Sequence, residues 1–477
     1  MSEWLPHVTA AVVSVFELLA LLTAVHAVMQ NRTAQGATAW VISLVTFPIV
    51  SLPLYWLFGR GKFQGYVNLR RAGDRELREI VRKLLQYAPQ FVVKAGGART
   101  EFDAVNRLIS MPFTRANDAR LLIDGEAAFG AMLDAIDRAS DYVLLEFFIV
   151  HDDQLGRELA KRLRAAVARG VRVYFLYDEI GSHWISRRYL RDLTQAGVTI
   201  RAFNTIRGWR KWFQLNFRNH RKIVVADGRF AFVGGLNVGD EYMGRLRKFG
   251  NWRDTHLQIE GPAVQCVQMA FLEDWYWATG TVPEMNWEPV EATSGDMRVL
   301  PVATGPADDV ETCGLFFVQM INAARKRIWI TSPYFVPDLH VITALVLAAL
   351  RGVEVRVMLP EKADHLLVYL SGFSFIEDVD EQGVDFYRYQ DGFMHQKVML
   401  IDDDAAVIGT ANFDNRSFRL NFEISILVND REFASSVERM LEADFEKCVR
   451  AEVDDFQRRP FWFRVAVRFA RLMAPLQ

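Results

Sequence analysis

The chain is poor in cysteine, with three in 477 residues: Cys266, Cys313 and Cys448, far apart and without metal-ligand spacing. An odd, scattered set argues against a disulfide framework and for a reducing compartment, so these are read as thiols without a catalytic role. Metal-binding motifs are missing as well. There is no His-Glu-x-x-His and no aspartate-rich loop, and His151-Asp152-Asp153 alone is too weak a ligand set. Neither sign of charge dominates, with 56 Lys and Arg against 58 Asp and Glu, which argues against a nucleic-acid binder working through bulk charge. No basic stretch precedes the first apolar run, and a second run follows at once, so a cleaved signal peptide is a poor reading.

Apolar residues make up 51% of the chain, and the excess lies at the N-terminus. Val8 to Met29 is of membrane-spanning length, and a second run from Ala37 to Phe58 is interrupted by Pro48 and Pro53. A polar turn with Asn31, Arg32 and Gln35 joins them, which predicts a two-helix transmembrane hairpin. Arg60, Lys62, Arg70 and Arg71 follow the second run, whereas the turn offers only Arg32. That bias places the long C-terminal part in the cytoplasm. Glu17, inside the first run, is read as protonated or bonded to the partner helix. From Gly61 to about Ala98, helical spacing of Leu77, Ile80, Leu84 and Leu85 predicts a basic helix at or leaving the membrane surface.

The centre of the chain carries an internal repeat. His220, Lys222 and Asp227 recur as His395, Lys397 and Asp402 with identical spacing, and Asn237 and Asn412 follow at the same offset. Strand and helix patterns repeat around them. Tyr142–Phe148 and Arg327–Thr331 read as buried strands, each followed by a helix and then by a strand at Val171–Leu176 or Arg351–Val355. A Gly-Val turn, at Gly197 or Gly383, leads on to each histidine, so the fold class expected is a duplicated α/β unit. The apolar pattern thins out near 286–295, where the boundary between the copies is expected.

Two histidine–lysine pairs suit a phosphate. One imidazole can attack phosphorus and form a covalent intermediate, and the other can shuttle the alcohol proton. Lys222 and Lys397 would neutralise charge on the transferring group, with Asn237 and Asn412 as neutral donors. No metal or other cofactor is demanded. Asp254 and Glu423 follow the two motifs at comparable distances and are the candidates to orient the imidazoles. Asp227 and Asp402 complete the repeated catalytic set, although a strand-ending turn gives them a role more structural than chemical. Arg207 to Phe213 interleaves basic residues with Trp209 and Trp212 ahead of His220, as a membrane-interface loop would. Phe461 to Met473 forms a basic amphipathic helix, expected to lie on an anionic bilayer or to pack on the domain.

These paired motifs resemble the phospholipase D superfamily over residues 110–455. Pro53 to Arg60, Tyr177 to Ser182, Asn237 to Tyr242 and Ser332 to Asp338 are similar to bacterial cardiolipin synthases. The resemblance implies two phospholipase D-like domains related by a pseudo-twofold axis, at 109–290 and 291–455, sharing one site. Before them would stand the hairpin (1–60) and a juxtamembrane segment (61–108), and after them a terminal helix (456–477). It implies transfer of a phosphatidyl group between two phosphatidylglycerol molecules, with His220 as nucleophile and His395 as acid/base, giving cardiolipin and glycerol. A phospholipase D, or a transferase using another acceptor, is the alternative; a nuclease suits the hairpin and the balanced charge less well. The partners expected are membrane phospholipids and no nucleic acid, at a bacterial inner membrane crossed more than once, and self-association is compatible with the sequence.

Overall fold

The structure, a computed structural model, describes residues 4–30, 33–59, 66, 79–80, 82, 84, 86, 89–93, 100–109, 111–203, 216–362, 364–451 and 455–474. Most of the expected juxtamembrane helix and the tryptophan-bearing stretch 207–213 lie outside the described residues. Helix α1 (Trp4–Gln30) contains one apolar stretch long enough to cross a membrane, His7–Gln30. The second apolar run departs from the expected single span. It forms α2 (Ala34–Thr46) and α3 (Pro48–Phe58), 13 and 11 residues long, broken at Phe47. Pro48 cannot donate a backbone hydrogen bond and so opens a new helix. Near the break, the Ser51 hydroxyl donates to the Ser43 carbonyl at 2.9 Å. Ala20, Ala24 and Ala27 of α1 pack on Leu44, Leu52 and Tyr55, small residues allowing close approach. Glu17 sits exposed on α1.

The rest is one α/β assembly built twice. The first half supplies β1 (Thr114–Ile123), β2 (Tyr142–Phe147), β3 (Arg172–Tyr177), β4 (Thr199–Ala202), β5 (Ile223–Ala226), β6 (Phe230–Gly234) and β7 (Thr255–Glu260). The second supplies β8 (Met297–Thr304), β9 (Arg327–Thr331), β10 (Glu354–Pro360), β11 (Val384–Tyr389), β12 (Val398–Ile401), β13 (Ala405–Gly409) and β14 (Asn421–Asn429). Within one sheet the orders are β1-β7-β6-β5-β2-β3-β4 and β8-β14-β13-β12-β9-β10-β11, so every strand has its counterpart seven numbers on. The halves join through β1 and β8, which pair antiparallel with Thr114 opposite Val299. Equivalent strands facing each other across a twofold axis must run antiparallel, and these do. One correction concerns β10, which starts at Glu354 because Gly352 turns the chain at φ 83°.

Leu144, Val225 and Leu257 of the first half share a core with Trp329, Leu400 and Ile426 of the second, while each half keeps an outer core of its own. Tyr66, from the segment after α3, is buried against Phe422 and donates to Asp274 at 2.9 Å. The terminal helix Phe461–Leu472 docks by its basic side: Arg468 meets Glu377 at 2.7 Å and Arg471 meets Asp378 at 2.6 Å. Its apolar side faces out, with Phe461 75%, Trp462 70% and Phe469 68% exposed.

Asp227 and Asp402 close the turns at the ends of β5 and β12, at positive φ of 54° and 52°. Asp227 accepts the backbone N–H groups of Ser140, Asp141 and Tyr142, and Asp402 those of Arg325, Lys326 and Arg327. Each aspartate therefore fastens the start of a neighbouring strand, β2 or β9, and stands at the far end of its own strand from the histidine. This corrects their inclusion in the catalytic set. Asp402→Ala, which strands three donors, is expected to lower stability by about 1–3 kcal/mol. A fall in unfolding temperature with turnover per folded molecule unchanged is the expected result, and loss of turnover without loss of stability would contradict the assignment.

Candidate active site

Both histidines lie just before the strands that follow them, and each is pinned to the opposite half. The two-residue strand Arg218–Asn219 pairs in parallel with Asn421–Phe422 at the start of β14, and the His220 N–H donates to the Phe422 carbonyl at 2.9 Å. In the same way Phe393–Met394 pairs with Trp252–Arg253, and the His395 N–H donates to Arg253 at 2.8 Å. The side chains follow their backbones. His220 Nδ1 lies 3.0 Å from both Glu423 oxygens, and His395 Nδ1 lies 2.7 Å from Asp254 Oδ2. The orienting carboxylates are thus crossed between the halves. An ionised carboxylate only accepts, so each Nδ1 carries the proton and each Nε2 is left with a lone pair.

Buried ion pairs hold these connections. Arg221 donates to Asp274 at 2.6 Å and to the carbonyls of Ala270, Thr304 and Glu423, which ties the first motif to β8 and β14. Arg253 binds Asp444 bidentately at 2.7 Å and 2.7 Å, and Gln396, the counterpart of Arg221, donates to the same carboxylate. Glu423 is further held by Thr410 Oγ1 at 2.6 Å and Asn421 Nδ2 at 3.1 Å. Gly235, the counterpart of Thr410, has no room for a side chain, because a Cβ there would sit 2.1 Å from Asp254 Oδ1.

The lysines complete each pair. Lys222 Nζ donates to the His220 carbonyl at 2.7 Å, and Lys397 Nζ to that of His395 at 2.5 Å. Burial dominates the charge balance. It holds His220 down at about 4 against the pull of Glu423, and His395 at about 4 with Lys397 adding to the effect. Burial also lowers Lys397 to about 8 and takes Lys222 well below its ordinary value, where Lys397 adds to the depression. For Glu423 and Asp254 burial acts upward, but the adjoining imidazoles and lysines outweigh it and keep both carboxyls below their usual range. The site therefore gathers basic groups whose protonated forms burial disfavours and an anion would favour.

The structure gathers His220, Lys222, His395, Lys397, Asp254 and Glu423. Asn237 ties its loop to the one after β2, accepting from the Ile149 N–H at 3.1 Å and donating to Tyr242 at 3.1 Å. Asn412 keeps a buried Oδ1 without a partner. Sequence reasoning missed the aromatic walls: Phe148 meets His220 edge-on at 4.9 Å, and Trp252 and Tyr242 stand 5.1 and 6.4 Å from His395. Trp252 lies two residues before Asp254, and Tyr242 five after Asn237, which is the signal that could have found them. Among the described residues no cluster of His, Cys, Asp and Glu has metal-binding geometry.

A duplicated α/β assembly with two histidine–lysine motifs meeting at its seam defines a phospholipase D-type protein. Comparison with known proteins agrees. The family model described as cardiolipin synthase, PLD-like domain, matches residues 132–275 and 317–445, and a phospholipase D-nuclease N-terminal model matches 18–60. Cardiolipin synthase A of Pseudomonas fluorescens is 45% identical over 475 residues, covering 99% of each chain. Its namesake from Pseudomonas aeruginosa (strain LESB58) is 47% identical over 465 residues, covering 96% of this chain and 94% of that protein. The solved structure of a phosphatidylserine synthase from Haemophilus influenzae superposes with a TM-score of 0.61 at 14% identity, over 79% of this chain and 100% of that one, a likeness of fold. The chain belongs to the PLD-like cardiolipin synthase family.

An anion in the site favours protonated imidazole, raising its pKa from about 4. Binding at pH 6 of sulfate, which does not titrate in this range, is therefore expected to draw protons into the protein. Calorimetry in buffers of different ionisation enthalpy reads this as proton uptake, and release of protons or no exchange would contradict the charge balance.

Proposed function

We propose that the chain is a cardiolipin synthase that moves a phosphatidyl group from one phosphatidylglycerol to another. His220 Nε2 attacks phosphorus, the P–N bond forms as the P–O bond to glycerol breaks, and His395, protonated once the phosphate is bound, gives its proton to the departing oxygen. The hydroxyl of a second phosphatidylglycerol then passes its proton to His395 and bonds to phosphorus, and His220 is released. Lys222 and Lys397 neutralise the charge gathering on the phosphoryl oxygens, with Asn412 and Asn237 as neutral amide groups beside them. Glu423 and Asp254 act on the imidazoles and not on the lipid. The observation that carries this reading is the crossed pair of histidine–carboxylate bonds enclosing two lysines. Near full-length identity to proteins named cardiolipin synthase A supports the substrate.

The domains proposed are those expected above, two catalytic domains at 109–290 and 291–455 behind a membrane segment at 1–60. The proposed location is a bacterial inner membrane, with the catalytic part in the cytoplasm. α1 serves as an anchor, and the outward apolar face of Phe461–Leu472 lies against the bilayer. Phosphatidylglycerol given alone to the purified chain in detergent should yield cardiolipin and free glycerol. Phosphatidic acid as sole product would make the protein a hydrolase, and inertness until another lipid is added would change the acceptor. His220→Ala and His395→Ala should each cost about 10³-fold or more in turnover; full activity in either variant would remove the two-histidine mechanism.

A further inference from the structure

Beyond Gly235 and Thr410, the two halves differ in the loops that follow β2 and β3 and their counterparts β9 and β10. Strand register brings equivalent residues into correspondence: Glu146 lies opposite Leu176 and Ile223, and Thr331 opposite Met358 and Val398. Val150 bridges Val238 as Phe335 bridges Phe413. Ile149 therefore corresponds to Tyr334. Ser182 and Asp364 stand at the same count past Leu176 and Met358, each in the loop that follows its strand.

In the first half these positions hold nothing for a ligand. Ile149 is apolar, and the Ser182 hydroxyl is spent on the loop after β2, donating to the Phe148 carbonyl and accepting from the Val150 N–H at 3.0 Å each. In the second half, the Tyr334 hydroxyl donates to Asp364 Oδ2 at 2.6 Å, while Oδ1 accepts the His365 N–H at 2.7 Å. A carboxylate oxygen takes more than one donor, so both oxygens keep capacity. The Asp364 side chain is 17% exposed, open to a ligand without being a free surface group. Tyr334 directly precedes Phe335, which pairs with Phe413 next to Asn412, so the Tyr334–Asp364 pair stands beside the second motif's loop, and the Asp364 charge favours protonation of His395 and Lys397. A carboxylate repels the phosphate, so beside a phosphate site its partner is a hydrogen-bond donor.

We propose that Tyr334 and Asp364 form a subsite for the alcohol headgroup, binding a glycerol hydroxyl that is not reacting while His395 handles the one that is. The proposal rests on the function given above. In the first step the subsite holds the departing glycerol, as the P–O bond breaks and the His395 proton goes to its oxygen. In the second it aims the incoming hydroxyl, whose proton passes to His395 as the new P–O bond forms and the P–N bond to His220 breaks. Water has no second hydroxyl to hold, so the subsite favours transfer over hydrolysis.

The test measures the ratio of cardiolipin to phosphatidic acid made from phosphatidylglycerol by the full chain in detergent. Asp364→Asn is expected to lower that ratio by about tenfold, the effect of weakening a hydrogen bond to a charged group. Tyr334→Phe, a milder change, should shift it in the same direction. An unchanged ratio, or a parallel fall in both products, would overturn the subsite. A wild-type preference for an ethanolamine-headed acceptor that Asp364→Asn abolishes would overturn the polyol and assign the site to an amine. If the unaltered chain makes no cardiolipin at all, it is the proposed function that fails.

Discussion

The hydrogen bonds from His220 to Glu423 and from His395 to Asp254 run in opposite directions across the seam between the two halves, and the rest of the molecule is built to keep them short. Each imidazole is fixed at two points by the half it does not belong to, through its backbone N–H and through Nδ1. Neither half holds an oriented histidine without the other. The antiparallel pairing of β1 with β8, the core shared by both halves, and the buried pairs Arg221–Asp274 and Arg253–Asp444 all maintain that seam. Buried ion pairs of this kind stabilise little in net terms, because desolvation offsets the attraction, but breaking one is costly, so they favour a single arrangement of the halves.

The same burial that orients the imidazoles suppresses their charge. Two histidines and two lysines crowd together, with Glu423 and Asp254 bonded to the imidazoles, and desolvation drives the nitrogen bases toward neutrality. A phosphate diester supplies the missing negative charge, so that protonating one imidazole becomes favourable when substrate is in place. The lipid thus completes the acid it needs. A site with no such anion has little reason to activate water.

Much of this was legible in the chain itself. The repeated His-x-Lys, the shared asparagine offset and the matching strand patterns marked a duplicated α/β unit, because a strand and its neighbours leave a period that sequence preserves. The strand-ending turn read for Asp227 and Asp402 is what their backbone bonds display, although chemical equivalence had also put them in the catalytic set. The crossing was not legible. Asp254 and Glu423 each follow a motif in sequence, and only three-dimensional pairing across the twofold seam exchanges them. Pro48 and Pro53 were visible inside the second apolar run, yet hydropathy alone does not say that a proline at a helix start splits it into pieces of 13 and 11 residues. Tyr334 lies in the stretch Ser332 to Asp338 that carries the resemblance, but nothing in the sequence pairs it with Asp364, as the folded chain does at 2.6 Å.

The crossed geometry leaves the His220 Nε2 lone pair facing the site, whereas Lys397 Nζ lies 3.2 Å from His395 Nε2, and Glu423 behind His220 is held by Thr410 and Asn421. The proposed mechanism gives the attack to His220 and the proton transfers to His395. The direct measurement is rapid quenching of the enzyme during turnover of phosphatidylglycerol, followed by peptide mapping of the acid-labile phosphatidyl group under alkaline conditions. The account predicts that the group is found on the peptide containing His220. Its recovery on the peptide containing His395 would reverse the two roles, and its absence from both under conditions where turnover is established would contradict the covalent route.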